Sequence, residues 1–290
     1  MKTNNANKQL AAIDRQSKAF FSGGTFRWKK DEKQVWAALE TAMKQKPAGR
    51  LIVINFKKSI MAFAALMLLL IGTGAFLRFY SVSVNIPAGQ HQLAELPDGS
   101  TVHLNAESTL KYHPYWWTFS RKLHFEGEAL FEVVKGRKFE VVSDKGRTAV
   151  LGTSFNILAR GNDYTVTCLS GSVKVSSPSK NQIVLNPESK ATIMPNGQIK
   201  VQQNIEILPE ILWKDNLFRF TASPITEVFR EIERQYGITI KANLTVNSRY
   251  TGSFNRLHSV DDVLSIVCPA MGLNYQKQAN GVYLITQTNE

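Results

Sequence analysis

An uncharged stretch of eighteen residues, Ile60 to Leu77, constrains the fold of this chain more than any other feature of its sequence. A helix rises 1.5 Å per residue, so the stretch would cover about 27 Å, close to the roughly 30 Å hydrocarbon core of a bilayer. A buried helix of a soluble protein normally keeps a polar face, and this stretch has none. It begins too far into the chain for a cleaved signal peptide. The sequence therefore predicts one transmembrane helix over residues 59–79, with Phe56, Phe79 and Tyr80 near the two interfaces.

The basic charge of the chain lies mostly before this stretch. The formal net charge is +12, and residues 1–58 hold thirteen lysines and arginines against four acidic residues. The positive-inside rule then places residues 1–58 in the cytoplasm and residues 80–290 in the periplasm, with the chain anchored in the inner membrane. A membrane-tethered DNA-binding regulator is the alternative that this charge suggests. The cations are dispersed and no third helix completes a helix-turn-helix, so we predict no direct contact with nucleic acid.

Residues 1–58 are predicted to form two short helices, the second beginning near Asp31. Segments this short have little core of their own, so their large apolar residues must pack against each other or against a partner. An amphipathic helix offers its apolar face to a protein partner in a recurring mode of recognition. The candidate contact residues are Phe21, Trp36, Leu39 and Met43. Packing of the two helices against each other is an equally good explanation of these residues.

Two patterns follow the apolar stretch. From Val82 to Val201 short alternating runs are separated by Pro-Asp-Gly and Pro-Asn-Gly turns, which predicts an all-β domain over residues 80–203. Residues 204–290 show an α+β pattern that repeats after about 36 residues, which predicts a domain of two βαβ-like copies.

Each copy of the repeat has its own strand and helix signals. Strand Leu217 to Phe220 leads to a helix with Ser223 as N-cap, and strand Tyr250 to Phe254 leads to a helix with Ser259 as N-cap. Gly237 and Gly272 are expected to end the two helices. The chain as a whole is thus predicted to be a multi-domain protein with a short helical segment, one transmembrane helix, an all-β domain and an α+β domain.

No constellation of catalytic residues is present. The five histidines are scattered, and we find no nucleophile elbow, no paired-histidine metal motif and no phosphate-binding loop. We therefore predict that the protein is not an enzyme and binds no cofactor or metal. The periplasm would permit a disulfide between Cys168 and Cys268, but both lie in apolar runs, which favours free, buried thiols.

A group of aromatic residues has two interpretations. Tyr115, Trp116, Trp117 and Phe119 either form a platform for a partner or a glycan, or pack as a loop onto the sheet, and packing is favoured. A platform of this kind supports a further alternative function, a membrane-anchored glycan-binding or envelope-scaffold module.

Four sequence blocks carry a resemblance to a known family. The run LPDGSTVHLNAESTLKY is followed in order by FEGEALFEV, KFEVV and VLGTSFNI. In this order and spacing they resemble the FecR-like periplasmic domain of transmembrane anti-sigma factors. Residues 217–286 resemble the C-terminal domain that follows it in such regulators, which is similar to short signalling domains of secretins and TonB-dependent receptors.

The resemblance implies a mechanism and two further sites. An outer-membrane TonB-dependent receptor that takes up a ferric siderophore or a glycan would signal to the periplasmic region, and the cytoplasmic helices would control an extracytoplasmic-function sigma factor. In some regulators of this type a Gly-Thr bond in this block breaks spontaneously, which makes Gly152 and Thr153 a candidate for self-cleavage. Close strand packing is the favoured explanation of Gly152. The candidate contact with the receptor is an open strand edge at Leu217, Phe218, Arg219 and Phe220.

Overall fold

The structure is a computed structural model that describes residues 11, 14–18, 29, 31–44, 56–242 and 248–287. The chain divides into two compact units, Met1–Ala65 and Leu66–Glu290, which are described separately.

The first unit contains helix α1 (Glu32–Lys44), and residues 14–18 are also helical. The carbonyl oxygen of Asp31 accepts hydrogen bonds from the amides of Gln34 and Val35, so α1 begins where the sequence predicts. Phe21, one of the candidate contact residues, lies outside the described residues.

Helix α2 (Phe56–Phe79) contains the uncharged stretch and begins within the first unit. None of its residues is buried, and its only charged residues are Lys57, Lys58 and Arg78. Among the described residues it is the one helix that is long and apolar enough to cross a membrane. This fits a protein with a single membrane span.

Thirteen strands follow α2 and form two layers that share one strand. The long strand β5 pairs through its first half with β4 and β6, and through its second half with β3 and β8. The first sheet has the order β1-β4-β5-β6-β7-β10-β11 and the second has the order β2-β3-β5-β8-β9-β12-β13. The bounds are β1 (Val82–Ile86), β2 (Gln92–Glu95), β3 (Thr101–Leu104), β4 (Ser108–Tyr112), β5 (Arg121–Glu132), β6 (Phe139–Val142), β7 (Arg147–Val150), β8 (Ser154–Arg160), β9 (Asp163–Ser170), β10 (Val173–Ser176), β11 (Gln182–Leu185), β12 (Ser189–Ile193) and β13 (Ile199–Gln203).

Gly127 lies where β5 passes from one sheet to the other. Its φ of +113° is disfavoured for other residues, and a Cβ atom there would lie 2.5 Å from the Cα atom of Ser108. The residues at every second position from Leu123 in β5 to Val133 just after it form the core face: Leu123, Phe125, Ala129, Phe131 and Val133 are all buried. Within this core the rings of Phe131 and Phe155 stack at 5.1 Å.

The C-terminal region combines two small sheets with two main helices. Helix α3 (Leu208–Ile211) and a 3₁₀ turn lead to β14 (Leu217–Pro224), α4 (Ile225–Tyr236) and β15 (Thr239–Ala242). Strand β16 (Arg249–Asn255), α5 (Val260–Val267), β17 (Leu273–Lys277) and β18 (Val282–Gln287) follow. An α+β architecture is thus present, as the sequence indicates.

Strands of the two sequence copies pair with each other, and β18 also pairs antiparallel with β17 of its own copy. Strand β14 of the first copy pairs antiparallel with β16 of the second, and β15 pairs parallel with β18. The strands that flank each helix, β14 and β15 around α4 and β16 and β17 around α5, lie in different sheets. This arrangement differs from a βαβ unit, in which the strands that flank the helix lie parallel in one sheet.

The N-cap agrees with the sequence at α5 and differs at α4. The reverse holds for the C-caps: Gly237 ends α4 as predicted, whereas α5 ends at Cys268 and Gly272 ends the 3₁₀ turn that follows. The side chain of Ser259 accepts from the amide of Asp262, and the Asp262 side chain accepts from the amide of Ser259, which completes a capping box. At α4 the N-cap is Pro224 and not Ser223. Ser223 still belongs to β14, where it pairs with Tyr250 after a register shift, so the helix begins later.

The two cysteines are free and buried, as predicted. Cys168 lies in β9 of the sandwich core, and Cys268 follows α5 in the C-terminal core. Burial raises the pKa of each thiol to about 11, so neither is a reactive thiolate near neutral pH.

Candidate functional site

A buried polar network joins the β-sandwich to the C-terminal region. Its central residue is Gln235 of α4, which is 1% exposed. The Gln235 side-chain amide donates to Asn105 and to Glu231, each at 2.8 Å, and its Oε1 lies 2.8 Å from Nε2 of His91. Asn105 and His91 belong to the sandwich, so one side chain connects the two regions.

Charged groups extend this network on both sides. Arg160 of β8 donates to the carbonyl oxygen of Ala106 and lies 3.7 Å from the carboxylate of Glu231, and the two side chains are 14% and 17% exposed. Arg234 pairs with Glu107 at 3.2 Å and also contacts Glu231. The pair between Arg160 and Glu231 is expensive to separate, because each partner would remain as an unpaired charge in a poorly solvated position.

Glu128 connects the network to the sandwich. Its carboxylate accepts from the side-chain amides of Asn105 at 2.8 Å and Asn156 at 3.2 Å. Burial raises the pKa of Glu128, and the nearby Arg160 guanidinium opposes that shift. Burial also lowers the pKa of His91, whose ring makes an edge contact with Trp213 at 5.8 Å. The two regions are thus joined by paired polar groups as well as by apolar contacts.

Backbone contacts reinforce the same junction. The amide of Gly89, in the turn between β1 and β2, donates to the carbonyl oxygen of Arg234 at 2.8 Å. The Arg256 guanidinium donates to the carbonyl oxygen of Gly89. On the apolar side, Leu130 of β5 is buried in the cluster that contains Trp213 and Phe218.

Helix α1 carries an exposed apolar face. Trp36, Leu39 and Met43 are 67%, 48% and 69% exposed, and their spacing of three and four residues puts them on one side of the helix. No residue of α1 is buried. Within the described residues these side chains therefore have no protein environment that would account for their size and apolarity.

Strand β14 has one paired edge and one open edge. Among the described residues it pairs only with β16. Arg256 donates its amide to the carbonyl oxygen of Asn216, and hydrogen-bonded pairs recur at every second position of an antiparallel ladder. The backbone groups of Phe218 and Phe220 therefore face β16, and those of Leu217 and Arg219 face the open edge.

The side chains of these four residues have separate roles. Phe218 is buried and stacks on Phe254 at 5.1 Å, and Phe220 stacks on the same ring at 5.7 Å. Arg219 is exposed and Leu217 is half-buried. The two phenylalanines hold the strand in place, which leaves the open edge available for pairing.

The Gly152–Thr153 bond lies at a close approach of two backbone segments. A Cβ atom on Gly152 would lie 2.5 Å from the Cα atom of Lys135, so packing alone requires glycine there. Thr153 is 4% exposed, and its hydroxyl donates to the carbonyl oxygen of Ser172 at 3.1 Å. Its carbonyl oxygen accepts from the amide of Val133.

The four aromatic residues that the sequence singles out, at positions 115, 116, 117 and 119, differ in their exposure to solvent. Trp117 is 3% exposed and packs edge-on against Phe139 in the sandwich core. Tyr115 and Phe119 are 53% and 70% exposed, and the rings of Trp116 and Phe119 lie 4.7 Å apart at an angle of 37°. Loop packing accounts for Trp117 and leaves Tyr115 and Phe119 exposed, whereas Trp116 is half-buried.

These features define a class of protein: an apolar helix long enough to span a bilayer, preceded by an amphipathic helix and followed by a β-sandwich coupled to an α+β domain. The family model described as FecR protein matches residues 83–174, and the model described as FecR, C-terminal, matches residues 217–284. The chain belongs to the FecR-like family of anti-sigma factors. It is a regulator of a sigma factor, and that family is typically not enzymatic.

Solved structures agree with this assignment. Two crystal structures of a proposed anti-sigma factor from Parabacteroides distasonis ATCC 8503 each match with a TM-score of 0.65 at 26% sequence identity. Each alignment covers 72% of this chain and all of the other chain. No curated protein matches the chain.

Proposed function

We propose that the chain is a single-pass inner-membrane regulator that relays a signal from a TonB-dependent outer-membrane receptor to a cytoplasmic extracytoplasmic-function sigma factor. The observation that carries this proposal is the order of features along the chain. An amphipathic helix with an exposed apolar face precedes the apolar helix α2, and the FecR-like sandwich with its coupled C-terminal domain follows it.

In this proposal α1 is the sigma-binding element. Trp36, Leu39 and Met43 would enter an apolar groove of the sigma factor, and Phe21 would add to the same contact. The dispersed cations of residues 1–58 are explained by the positive-inside rule, so no contact with nucleic acid is needed.

The receiving element would be the open edge of β14. A signalling domain of the receptor would add a strand beside Leu217 and Arg219, gaining main-chain hydrogen bonds. The network around Gln235 then connects α4, which follows β14 directly, to the sandwich. A pull on the C-terminal domain would thereby reach the unit that is attached to α2.

A capture experiment tests this function. Residues 1–58, fixed to a resin, should retain an extracytoplasmic-function sigma factor from the cytosol of the source cells, and should not retard double-stranded DNA. The periplasmic region should retain the receptor's signalling domain and should not retain glycan. Retention of DNA or glycan without a sigma factor would instead support one of the two alternative functions, the DNA-binding regulator or the glycan-binding module.

A further inference from the structure

Two aromatic residues of the segment 114–119, Tyr115 and Trp116, lie beside the C-terminal end of α2. The ring of Tyr115 is 6.2 Å from that of Phe76 and 5.3 Å from that of Tyr80. The guanidinium of Arg78 is 5.0 Å from the ring of Trp116. The segment therefore lies at the same level as the last turn of the apolar helix.

Two further features fix this position. The ring of His113 lies 2.9 Å from the carbonyl oxygen of Tyr80 through its Nδ1 atom. Only residues 80 and 81 separate the end of α2 from the first residue of β1. The sandwich is thus attached to the helix by a very short connection and by side-chain contacts on both sides of it.

Cationic side chains lie beside the exposed ring of Phe119. Phe119 contributes to a cavity of about 240 Å³ whose lining includes Lys122, Arg137 and Lys138. Arg137 donates to the carbonyl oxygen of Thr118. Glu140, on the same lining, pairs with Lys138 at 3.0 Å. This edge of the sandwich therefore combines exposed aromatic surface with net positive charge.

We propose that the segment 114–119 binds the headgroup layer of the membrane that α2 spans. Tyr115, Trp116 and Phe119 lie at the depth of the headgroups, and Lys122 and Arg137 face lipid phosphates. Tryptophan and tyrosine are enriched at this depth because their rings are apolar at one end and polar at the other. The inference rests on the proposed membrane topology. Binding of this segment to the headgroups fixes the orientation of the sandwich on the bilayer. A force on the C-terminal domain then acts on a sandwich that cannot turn freely.

A spin-label experiment on the full chain tests this inference. The chain is reconstituted in vesicles of phosphatidylethanolamine and phosphatidylglycerol, with a nitroxide introduced separately by Phe119→Cys, Val184→Cys and Leu69→Cys. The native cysteines are buried, and the unsubstituted chain measures their background labelling. Val184 is the matched control because it is 56% exposed on the edge strand β11, which is four strands and about 19 Å from β5, the strand that follows Phe119.

The measured quantities are the collision rates of each label with dissolved oxygen and with an aqueous nickel chelate. The label at 119 should gain oxygen collisions and lose nickel collisions relative to the label at 184, and the label at 69 should show a larger shift in the same direction. Soluble glycan should leave the label at 119 unchanged.

Three outcomes would overturn the inference. If the label at 119 has the same collision rates as the label at 184 while the label at 69 is embedded in lipid, the segment does not contact lipid and the membrane topology still holds. A label at 119 shielded from both reagents indicates that protein or glycan covers the segment. If the label at 69 is accessible to the aqueous nickel chelate, α2 does not span the membrane, and both the topology and the inference are wrong.

Discussion

Gly152 and Thr153 occupy a tightly packed site, and this limits what each residue can be replaced by. Gly152 has no room for a side chain against Lys135, whereas the Thr153 hydroxyl has one defined acceptor, the carbonyl oxygen of Ser172. Packing explains the glycine without any chemistry. Packing and self-cleavage make different demands on the Thr153 hydroxyl, because only the acyl shift of self-cleavage needs it as a nucleophile.

Thr153→Ala and Thr153→Ser separate these explanations. If the hydroxyl attacks the Gly152 carbonyl, the purified wild-type periplasmic region should run as two fragments on a denaturing gel, the Ser variant should also be cut, and the Ala variant should stay whole. Both substitutions remove little volume, so the fold should be retained. Only the Ala variant loses the hydrogen bond to Ser172, at a cost of about 1 kcal/mol. A wild-type chain that remains intact after prolonged incubation would leave packing as the full explanation.

The contacts of the polar network could not be predicted from the sequence. Alternation along β5 correctly identifies the buried core face, and it assigns Glu128 to the opposite face, which the pattern implies is solvated. The C-terminal region covers that face, so Glu128 is half-buried among Asn105 and Asn156. Polar residues that are far apart in the sequence carry no periodic signal of their mutual contact.

At the scale of the element, α1 is defined by an apolar face that the described residues leave exposed. Trp36→Ala should weaken capture of the sigma factor by residues 1–58 by about 2 kcal/mol, roughly thirtyfold in Kd, since large aromatic residues are frequent interface anchors. Gln34→Ala is the matched control because Gln34 lies on the opposite side of α1, and it should bind as the wild type does. Titration calorimetry with the purified sigma factor measures both. Equal binding by the Trp36 variant, with helix content retained, would assign Trp36 to packing between the two helices.

At the open edge of β14, two substitutions of Arg219 distinguish the role of its backbone amide from that of its side chain. Arg219→Pro removes an amide that faces away from β16, so the β14–β16 ladder should persist while strand addition at the open edge is blocked. Arg219→Ala removes the side chain and keeps the amide. We expect ligand-induced transcription to be lost in the Pro variant and kept in the Ala variant, with both proteins folded and in the membrane. Induction that survives deletion of everything after Trp213 would contradict the assignment of the C-terminal domain as receiver.

Most helices and strands were predictable from the sequence, whereas the pairing of the strands in the C-terminal region was not. Periodicity and capping residues identify α2, the strands of the sandwich and the Ser259 cap of α5, because these signals are local. The pairing of β14 with β16 and of β15 with β18 depends on how two similar copies pack together. A repeat in the sequence is equally compatible with pairing within each copy, and only the tertiary structure distinguishes the two.

At the scale of the whole molecule, Gln235 is the central polar contact between the sandwich and the C-terminal domain. Gln235→Ala removes hydrogen bonds to Asn105 and Glu231 and the contact with His91, and it leaves buried polar groups without partners at a cost of about 1–3 kcal/mol. The junction should then open more often while each domain keeps its own core. Hydrogen exchange at the Gly89 amide, which donates to Arg234, reports this opening.

A loss of 2 kcal/mol corresponds to roughly thirtyfold faster exchange at Gly89. Gln92→Ala is the control, since Gln92 is exposed on the neighbouring strand β2. Amides in the core of β5 should exchange at the wild-type rate in both variants. Equal protection of Gly89 in the wild type and the Gln235 variant would show that apolar contacts alone hold the junction.

The orientation of the chain in the membrane decides whether the apolar face of α1 and the open edge of β14 lie in different compartments, as a relay requires. Lys57 and Lys58 stand at the start of α2 and follow a strongly basic segment, whereas Arg78 alone stands at its end. This asymmetry favours a cytoplasmic N-terminus. A reporter that is active only in the periplasm should therefore work when fused after Glu290 and fail when fused after Lys46, and a cytoplasmic reporter should give the reverse. The opposite pattern would place α1 in the periplasm, where no sigma factor is present, and the proposed relay would then have to be abandoned.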